Sequence, residues 1–273
     1  MNLRRALRTL WAFFRRDLAI ARSYRLLFLL EPIEMLFAVA TFFYLSRFVQ
    51  STELTRALPR GMNYFTFALV GLAFFDYLNV AFSAFEQSLD QARRNGTLEA
   101  LLVTETPLPV MLVGSALYPF TLTALRTAVY LGWGMFVFGF PWRAANWPGA
   151  LAVLLVSILA FAGLGVLSAS YLLVFKRGNP ARWLFIGASA LLGGMMYPIS
   201  VLPQTLQVAA RLVPITYSLE GMRGALLQGA SFGELWPSLR ALLLFAVVFL
   251  PVSFAAFAWA LRRTKVTGTL THF

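Results

Sequence analysis

The fold class this sequence predicts is an all-α membrane protein, and three observations predict it. Six apolar stretches, near residues 27–49, 63–85, 109–139, 150–175, 183–201 and 237–261, match the roughly 20 residues that a helix needs to cross a bilayer core. Hydrophobic residues make up 59% of the chain and charged ones 12%, with mean hydropathy +0.72, more apolar surface than a soluble domain of 273 residues can cover. Positive charge, finally, favours alternate connections.

With the N-terminus inside, the inner segments carry Arg4, Arg5, Arg8, Arg15, Arg16, Arg22 and Arg25, then Arg93 and Arg94, then Lys176, Arg177 and Arg182, then Arg262, Arg263 and Lys265. The outer segments carry Arg47, Arg56, Arg60, Arg143, Arg211, Arg223 and Arg240, an inner bias of about two to one. Six spans return the C-terminus to the same side, so both termini are expected in the cytoplasm of a multi-pass inner-membrane protein. The net charge of +12 then matches anionic lipid headgroups rather than nucleic acid. The absence of cysteine excludes disulfides and thiol chemistry.

Arginines run throughout residues 1–25, which argues against a cleavable signal. At helical spacing Leu7, Leu10, Trp11, Phe14 and Leu18 share a stripe that Arg5, Arg8, Arg15 and Arg16 avoid. That pattern predicts an amphipathic helix in the inner interface, either a plain basic anchor or an elbow touching a cytoplasmic partner. The outer loops after the first and third spans are short, and Trp142 and Trp147 suit a headgroup-level belt. Residues Lys176 to Arg182, with Gly178, Asn179 and Pro180, read as a tight inner turn.

Two connections are richer. Glu86 to Pro109 is the longest polar insertion, and Asp90 to Thr104 within it predicts a short cytoplasmic helix with Leu98, Leu101 and Leu102 on one face. Pro203 to Ser231 is apolar but broken by Pro203, Pro214, Gly221, Gly224 and Gly229. Its candidate helices, near 203–212 and 216–228, are too short to cross, which predicts a re-entrant pair at the outer end. Gly165 with Ala169, and Ala190 with Gly194, offer small-residue packing surfaces, and Pro251 predicts a kink in the last span.

Charges inside apolar spans mark function or buried pairing. Glu31 and Glu34 fall in the first span, Asp76 in the second and Arg126 in the third. Counted from the inner helix ends at about 1.5 Å per residue, Arg126 lies roughly 10 Å nearer the outside than Asp76, so pairing requires it to reach inward. Glu31 and Glu34 are expected to meet arginines of the interfacial helix or of a partner. The sequence shows no His/Cys metal cluster, no nucleophile beside a base and no GxxxxGK[ST] phosphate loop. Active transport by this chain therefore needs energy from another subunit or an ion gradient.

Gly96-Thr97-Leu98-Glu99-Ala100-Leu101-Leu102 followed by Thr104-Glu105-Thr106-Pro107 resembles the cytoplasmic loop of ABC type-2 permeases, the transmembrane subunits of ABC exporters, with one extra residue before Thr-Pro. Tyr197-Pro198-Ile199, Leu202-Pro203, Leu212 to Tyr217 and Glu220-Gly221-Met222-Arg223 are similar to that family's segment after the fifth span. The resemblance covers nearly the whole chain. It implies one type V exporter domain over residues 1–273, with an interfacial helix at 1–25, a coupling helix at 90–105 and re-entrant outer helices at 203–231. It implies two permease copies, a homodimer, contacting two copies of a separate ATPase. ATP and magnesium would be bound by that partner, and no cofactor by this chain.

ATPase contact would fall on Arg93, Arg94, Gly96, Thr97, Leu98, Glu99 and Leu102, and the outer gate on Pro198, Pro203, Pro214 and Tyr217. Phe42, Phe43, Tyr44, Phe74, Phe75 and Tyr77 are pathway candidates, although packing or lipid contact accounts for each ring equally well. The expected cargo is a hydrophobic or amphipathic molecule, drug-like or lipid, with a lipid-linked polysaccharide as the alternative. Other classes are an ATP-independent secondary carrier, which would show inverted repeats, and a membrane-embedded lipid enzyme, which would cluster polar groups at one face.

Overall fold

The computed structural model describes residues 3–23, 25–49, 56–59, 62–94, 108–141, 143–175 and 179–266. Among them run nine α-helices: α1 (Leu3–Arg22), α2 (Arg25–Val49), α3 (Tyr64–Arg94), α4 (Leu108–Phe136), α5 (Trp147–Phe175), α6 (Pro180–Leu192), α7 (Gln204–Ala210), α8 (Pro214–Leu227) and α9 (Phe232–Val266), with a 3-10 turn at Ile199–Val201 before α7.

Short polar residues start the long helices, as side-chain oxygens satisfy the free N–H groups of a first turn. The Thr66 N–H donates to Asn63 Oδ1 (2.8 Å), Gly149 N–H to Asn146 Oδ1 (2.9 Å) and Arg182 N–H to Asn179 Oδ1 (3.0 Å). At the start of α9 the Ser231 N–H (2.7 Å) and Oγ (2.9 Å) both donate to Glu234 Oε2, the glutamate half of a capping box. Proline opens α6 and α8, where no N–H is needed.

The core surrounds α3, whose Phe65, Leu69, Val70, Ala73, Tyr77, Leu78 and Ala81 are buried. It packs against α2, α4, α5 and α8, while α5 also packs along α9, and α1 lies on α4. The outside is apolar too: α9 exposes Leu244, Val247, Val248 and Val252, and α5 exposes Leu151, Leu155 and Leu159. Continuous apolar surface of this kind belongs in lipid. Among the described residues, four helices are long and apolar enough to cross a membrane, over Leu30–Val49, Tyr64–Ser88, Trp147–Phe175 and Phe232–Thr264. Of the other two expected spans, α4 has 29 residues with Arg126 in its middle, and α6 has 13.

Three expectations need correction. Glu86 does not begin a loop: α3 continues for more than two turns to Arg94, carrying Asp90 with it, while residues 95–107 lie outside the described residues. The fifth span ends early because Gly193 and Gly194 stop the helix. Gly193 donates its N–H to Ser189 O (2.8 Å), and Gly194 adopts φ +72°, open to glycine at little cost. Gly194 therefore serves a turn, not a helix-packing surface with Ala190.

Gly165 does pack closely, with buried Ala169 on the same stripe, and its neighbour is α3. A Cβ on Gly165 would collide with the Ala81 carbonyl. Backbone cannot rotate aside, so Gly165→Ala should cost roughly 3 kcal/mol by forcing the helices apart, read as a lowered unfolding midpoint of the purified chain. Gly187→Ala, where a Cβ meets open space, should leave that midpoint unchanged or raise it through helix propensity.

In α1, Leu10, Phe14 and Leu18 are half-buried toward α4, where Phe13 covers Gly114 and Phe14 meets Tyr118 edge-on at 5.8 Å. Leu7 and Trp11, from the same expected stripe, stay 58% exposed beside Arg8 and Arg15.

Candidate functional site

Midway along the bundle Arg126 bridges two carboxylates. Its Nε lies 3.0 Å from Glu31 Oε1 and its Nη1 lies 3.4 Å from Asp76 Oδ2. These are ion pairs rather than aligned hydrogen bonds, since Arg126 Nε and Asp76 Oδ2 lack a hydrogen-bond partner of good geometry. One guanidinium faces two carboxylates, so the triad carries an excess negative charge if both ionise. Around it, Thr127 donates to the Ala73 carbonyl (3.2 Å) and Trp133 Nε1 to the Pro32 carbonyl (3.0 Å), fastening α4 to α3 and to α2.

Glu31, expected to meet arginines of the interfacial helix or of a partner, meets Arg126 of α4 instead. Counting from the expected inner ends misplaced Arg126 because α3 runs on to Arg94: from the observed helix ends, Asp76 (94 − 76) and Arg126 (126 − 108) each lie 18 residues in. The helices are level at the other end, where the rings of Phe43, Phe65 and Phe138 meet at 4.9–6.0 Å. From that cluster all three charged residues lie about 16–18 Å back along their helices, a distance of roughly half a 30 Å apolar layer. Glu34 lies a turn from Glu31 and is exposed.

The aromatic candidates separate. Phe74, Phe75 and Tyr77 are buried in the chain's own core. Phe74 and Tyr77 line an apolar cavity of about 400 Å³ among α3, α4, α5 and α8, completed by Leu131, Met135, Trp147 and Met222. Phe43 packs between Phe65 and Phe138, Phe42 lies against the buried Leu58–Tyr64–Phe67 cluster, and Tyr44 is exposed.

At the end of the bundle opposite α1, Pro198 leads the 3-10 turn, Pro203 precedes α7, Pro214 starts α8, and Tyr217 packs on Phe245 (6.1 Å). Arg223 holds this end together, a role its sequence position among loop-like glycines did not reveal. It is buried, and it donates to the Phe67 carbonyl through Nε (3.2 Å) and Nη2 (3.1 Å), to Gly194 O (2.8 Å) and to Met195 O (2.9 Å). Its guanidinium carbon also sits 3.4 Å from the centre of the Phe67 ring. Burial pulls the guanidinium down to about 9, with Glu220 acting the other way, so it remains charged at neutral pH. Gly71 is required alongside, as a Cβ there would strike the Met195 carbonyl.

At the α1 end a second network went unread in the sequence. Glu86 is buried and accepts from Ser168 Oγ, from Asn179 Nδ2 (3.0 Å) and from Arg182 Nη1 (2.7 Å). Of the residues expected to touch an ATPase, Arg93 and Arg94 close α3, and Gly96, Thr97, Leu98, Glu99 and Leu102 lie outside the described residues. Among the described residues no group of three or more His, Cys, Asp or Glu side chains forms a metal cluster.

Residues 6–227 match the family described as ABC-2 type transporter. The chain is 26% identical over 173 residues to the linearmycin resistance permease protein LnrN of Bacillus subtilis, covering 63% of this chain and 43% of that protein. The chain thus spans less than half of LnrN. It is 25% identical over 192 residues to nodulation protein J of Sinorhizobium fredii, and 24% identical over 193 residues to the inner membrane transport permease YadH of Escherichia coli, covering 69% of this chain in each case and 71% and 73% of those proteins. Permeases of this kind usually work with an ABC ATPase. With several apolar helices and this match over most of its length, the chain belongs to the ABC-2 type transporter family, as a membrane-embedded transport permease.

Proposed function

We propose that this chain is the permease of an ATP-driven exporter, working as a homodimer with two ATPase subunits, and that it moves a hydrophobic or amphipathic molecule. The carrying observation is the exposed stripe of α2: Leu30, Glu34, Phe37, Thr41, Tyr44 and Phe48, spaced alternately three and four residues apart. A carboxylate and a phenol on the open face of a spanning helix are costly against lipid, so that face meets a second copy and the pathway between copies. On α6, Trp183, Leu184, Gly187 and Leu191 are exposed as well.

In this reading α4 and α6, the latter prolonged by the 193–198 turn, complete six crossings, and both termini are cytoplasmic. The interfacial helix α1 and residues 90–105, with Arg93, Arg94, Gly96, Thr97, Leu98, Glu99 and Leu102, receive the ATPase. The re-entrant pair α7 and α8, with Pro198, Pro203, Pro214 and Tyr217, forms the outer gate of a type V exporter. ATP-driven closure of the ATPases would rock the permeases from inward- to outward-facing. Tyr44 lines the approach with Phe42 and Phe43 packed behind it, and Glu31, Glu34, Asp76 and Arg126 set its polarity at mid-depth. The apolar cavity beside Phe74 and Tyr77 suits a lipophilic cargo, and the name of LnrN, a linearmycin resistance permease, supports the same class.

The native chain has no cysteine, so single cysteines report proximity directly. Phe48→Cys should give a disulfide-linked dimer in oxidised membranes, whereas Val247→Cys, on the lipid-facing side of α9, should not. The opposite pattern would overturn the assigned interface. In a complex with its ATPase, Glu34→Ala and Tyr44→Ala should each lower cargo-stimulated ATP hydrolysis severalfold. Failure of the tagged chain to retain any ATPase would sink the export reading.

A further inference from the structure

The surface opposite α1 holds a second candidate site, distinct from the mid-depth triad. A cavity of about 430 Å³ lies between the 3-10 turn, α7 and α8, lined by Ser200, Gln207, Arg211, Thr216, Tyr217 and Glu220. Glu220 also borders a neighbouring cavity of about 340 Å³. These volumes fall within the range of small-ligand pockets.

The charges in it do not cancel one another. Among the described residues, no ion pair joins Glu220 to Arg211, although both line the same space. Arg223, behind Glu220, is committed to three carbonyls and the Phe67 ring. The Glu220 side chain is exposed to these cavities, with protein beside the carboxylate. That desolvation pushes it above the usual carboxylate range, against the pull of Arg223 and Arg211. Thr216 is occupied with the Ala210 carbonyl (2.7 Å) and Gln207 Nε2 with the Leu202 carbonyl (2.8 Å). They shape the wall and leave the two charged groups to select what enters.

A lone anion would be drawn to Arg211 but repelled by Glu220, and a lone cation would meet the reverse. A ligand carrying both signs a few ångströms apart gains at both ends. We propose that this cavity binds a zwitterionic phosphoethanolamine group, its ammonium on Glu220 and its phosphate on Arg211. The proposal rests on the export reading only in placing the cavity at the outer surface. Binding needs no ATPase, so a failed binding test leaves export standing, and a failed ATPase test leaves this site standing.

The purified full chain in a nonionic maltoside detergent is titrated with dihexanoyl phosphatidylethanolamine, dihexanoyl phosphatidylglycerol and free phosphoethanolamine. Binding is read by calorimetry on wild type, Glu220→Gln and Arg211→Gln. Both substituted side chains are exposed, and melting curves check the fold. Each variant should weaken phosphatidylethanolamine about tenfold, the loss of one charge-assisted contact. Toward phosphatidylglycerol the two should part: Arg211→Gln weakens binding, while Glu220→Gln strengthens it by removing repulsion. Arg211→Lys, which keeps the charge, should retain most of the affinity even if Arg211→Gln melts early. Free phosphoethanolamine with the same variant pattern identifies a soluble or cargo-borne head, and binding of the lipid alone identifies a membrane lipid. Equal binding of both lipids by wild type and all variants, or no binding by wild type, overturns the proposal.

Discussion

Arg223→Met is expected to be the most damaging single substitution in the chain. It removes the donor to the Phe67, Gly194 and Met195 carbonyls at once and leaves them in a site too tight even for a Cβ on Gly71. The Phe67 carbonyl keeps its ladder bond within α3, but a buried acceptor left unmade costs about 1–3 kcal/mol, so a loss of roughly 4 kcal/mol is expected from Gly194 and Met195. For a protein of this size that corresponds to a fall of roughly 10 °C in melting temperature, measurable on the purified chain in detergent. Arg223→Lys should recover only part of it. An ammonium is a point donor, whereas the guanidinium fork reaches Phe67 on one side and the Gly194 turn on the other. A methionine variant that melts like wild type would show that the carbonyls have other partners and that Arg223 is not what joins α8 to α3.

Removing Arg126 should be nearly as severe, for a different reason. Arg126→Leu strands Glu31 and Asp76 without their counter-charge; because the three side chains are only partly buried, a loss of roughly 3 kcal/mol, the low end for breaking a buried pair from one side, is expected. Neutralising the whole triad with Glu31→Gln, Asp76→Asn and Arg126→Leu should regain most of that stability, because the penalty belongs to unpaired charge rather than to lost contacts. The check is a comparison of melting temperatures for the single and triple variants. If the triple variant falls as far as the single one, the three residues do not act as a unit.

The elements legible in the sequence were those whose signal is local. The α1 helix follows from its spacing of apolar and basic residues, and α7 and α8 from Pro203 and Pro214, which fix where a helix can begin. The triad was half legible: its three charges stand out in apolar runs, but their mutual depth depends on where the helices end, and α3 runs well past its apolar stretch to Arg94. Arg223 looked like an ordinary loop cation because nothing near it in sequence announces the carbonyls freed by the Gly193–Gly194 turn. Glu86 looked like the first residue of a loop because its partners Ser168, Asn179 and Arg182 lie more than 80 residues away. Three of the six aromatic candidates pack inward because α3, unlike α2, is surrounded by other helices.

The Glu86 cluster has a mechanical consequence. It clamps α3, a little over two turns before its last residue, to the cap from which α6 springs. The other tip of α6 is the glycine turn that the Arg223 fork grips from α8. The two clamps make α6 a strut, fixed at its base to α3 and at its tip to α8. Leverage applied where α3 leaves the bundle is therefore carried the length of α6 as displacement, instead of dissipating as bending at its base.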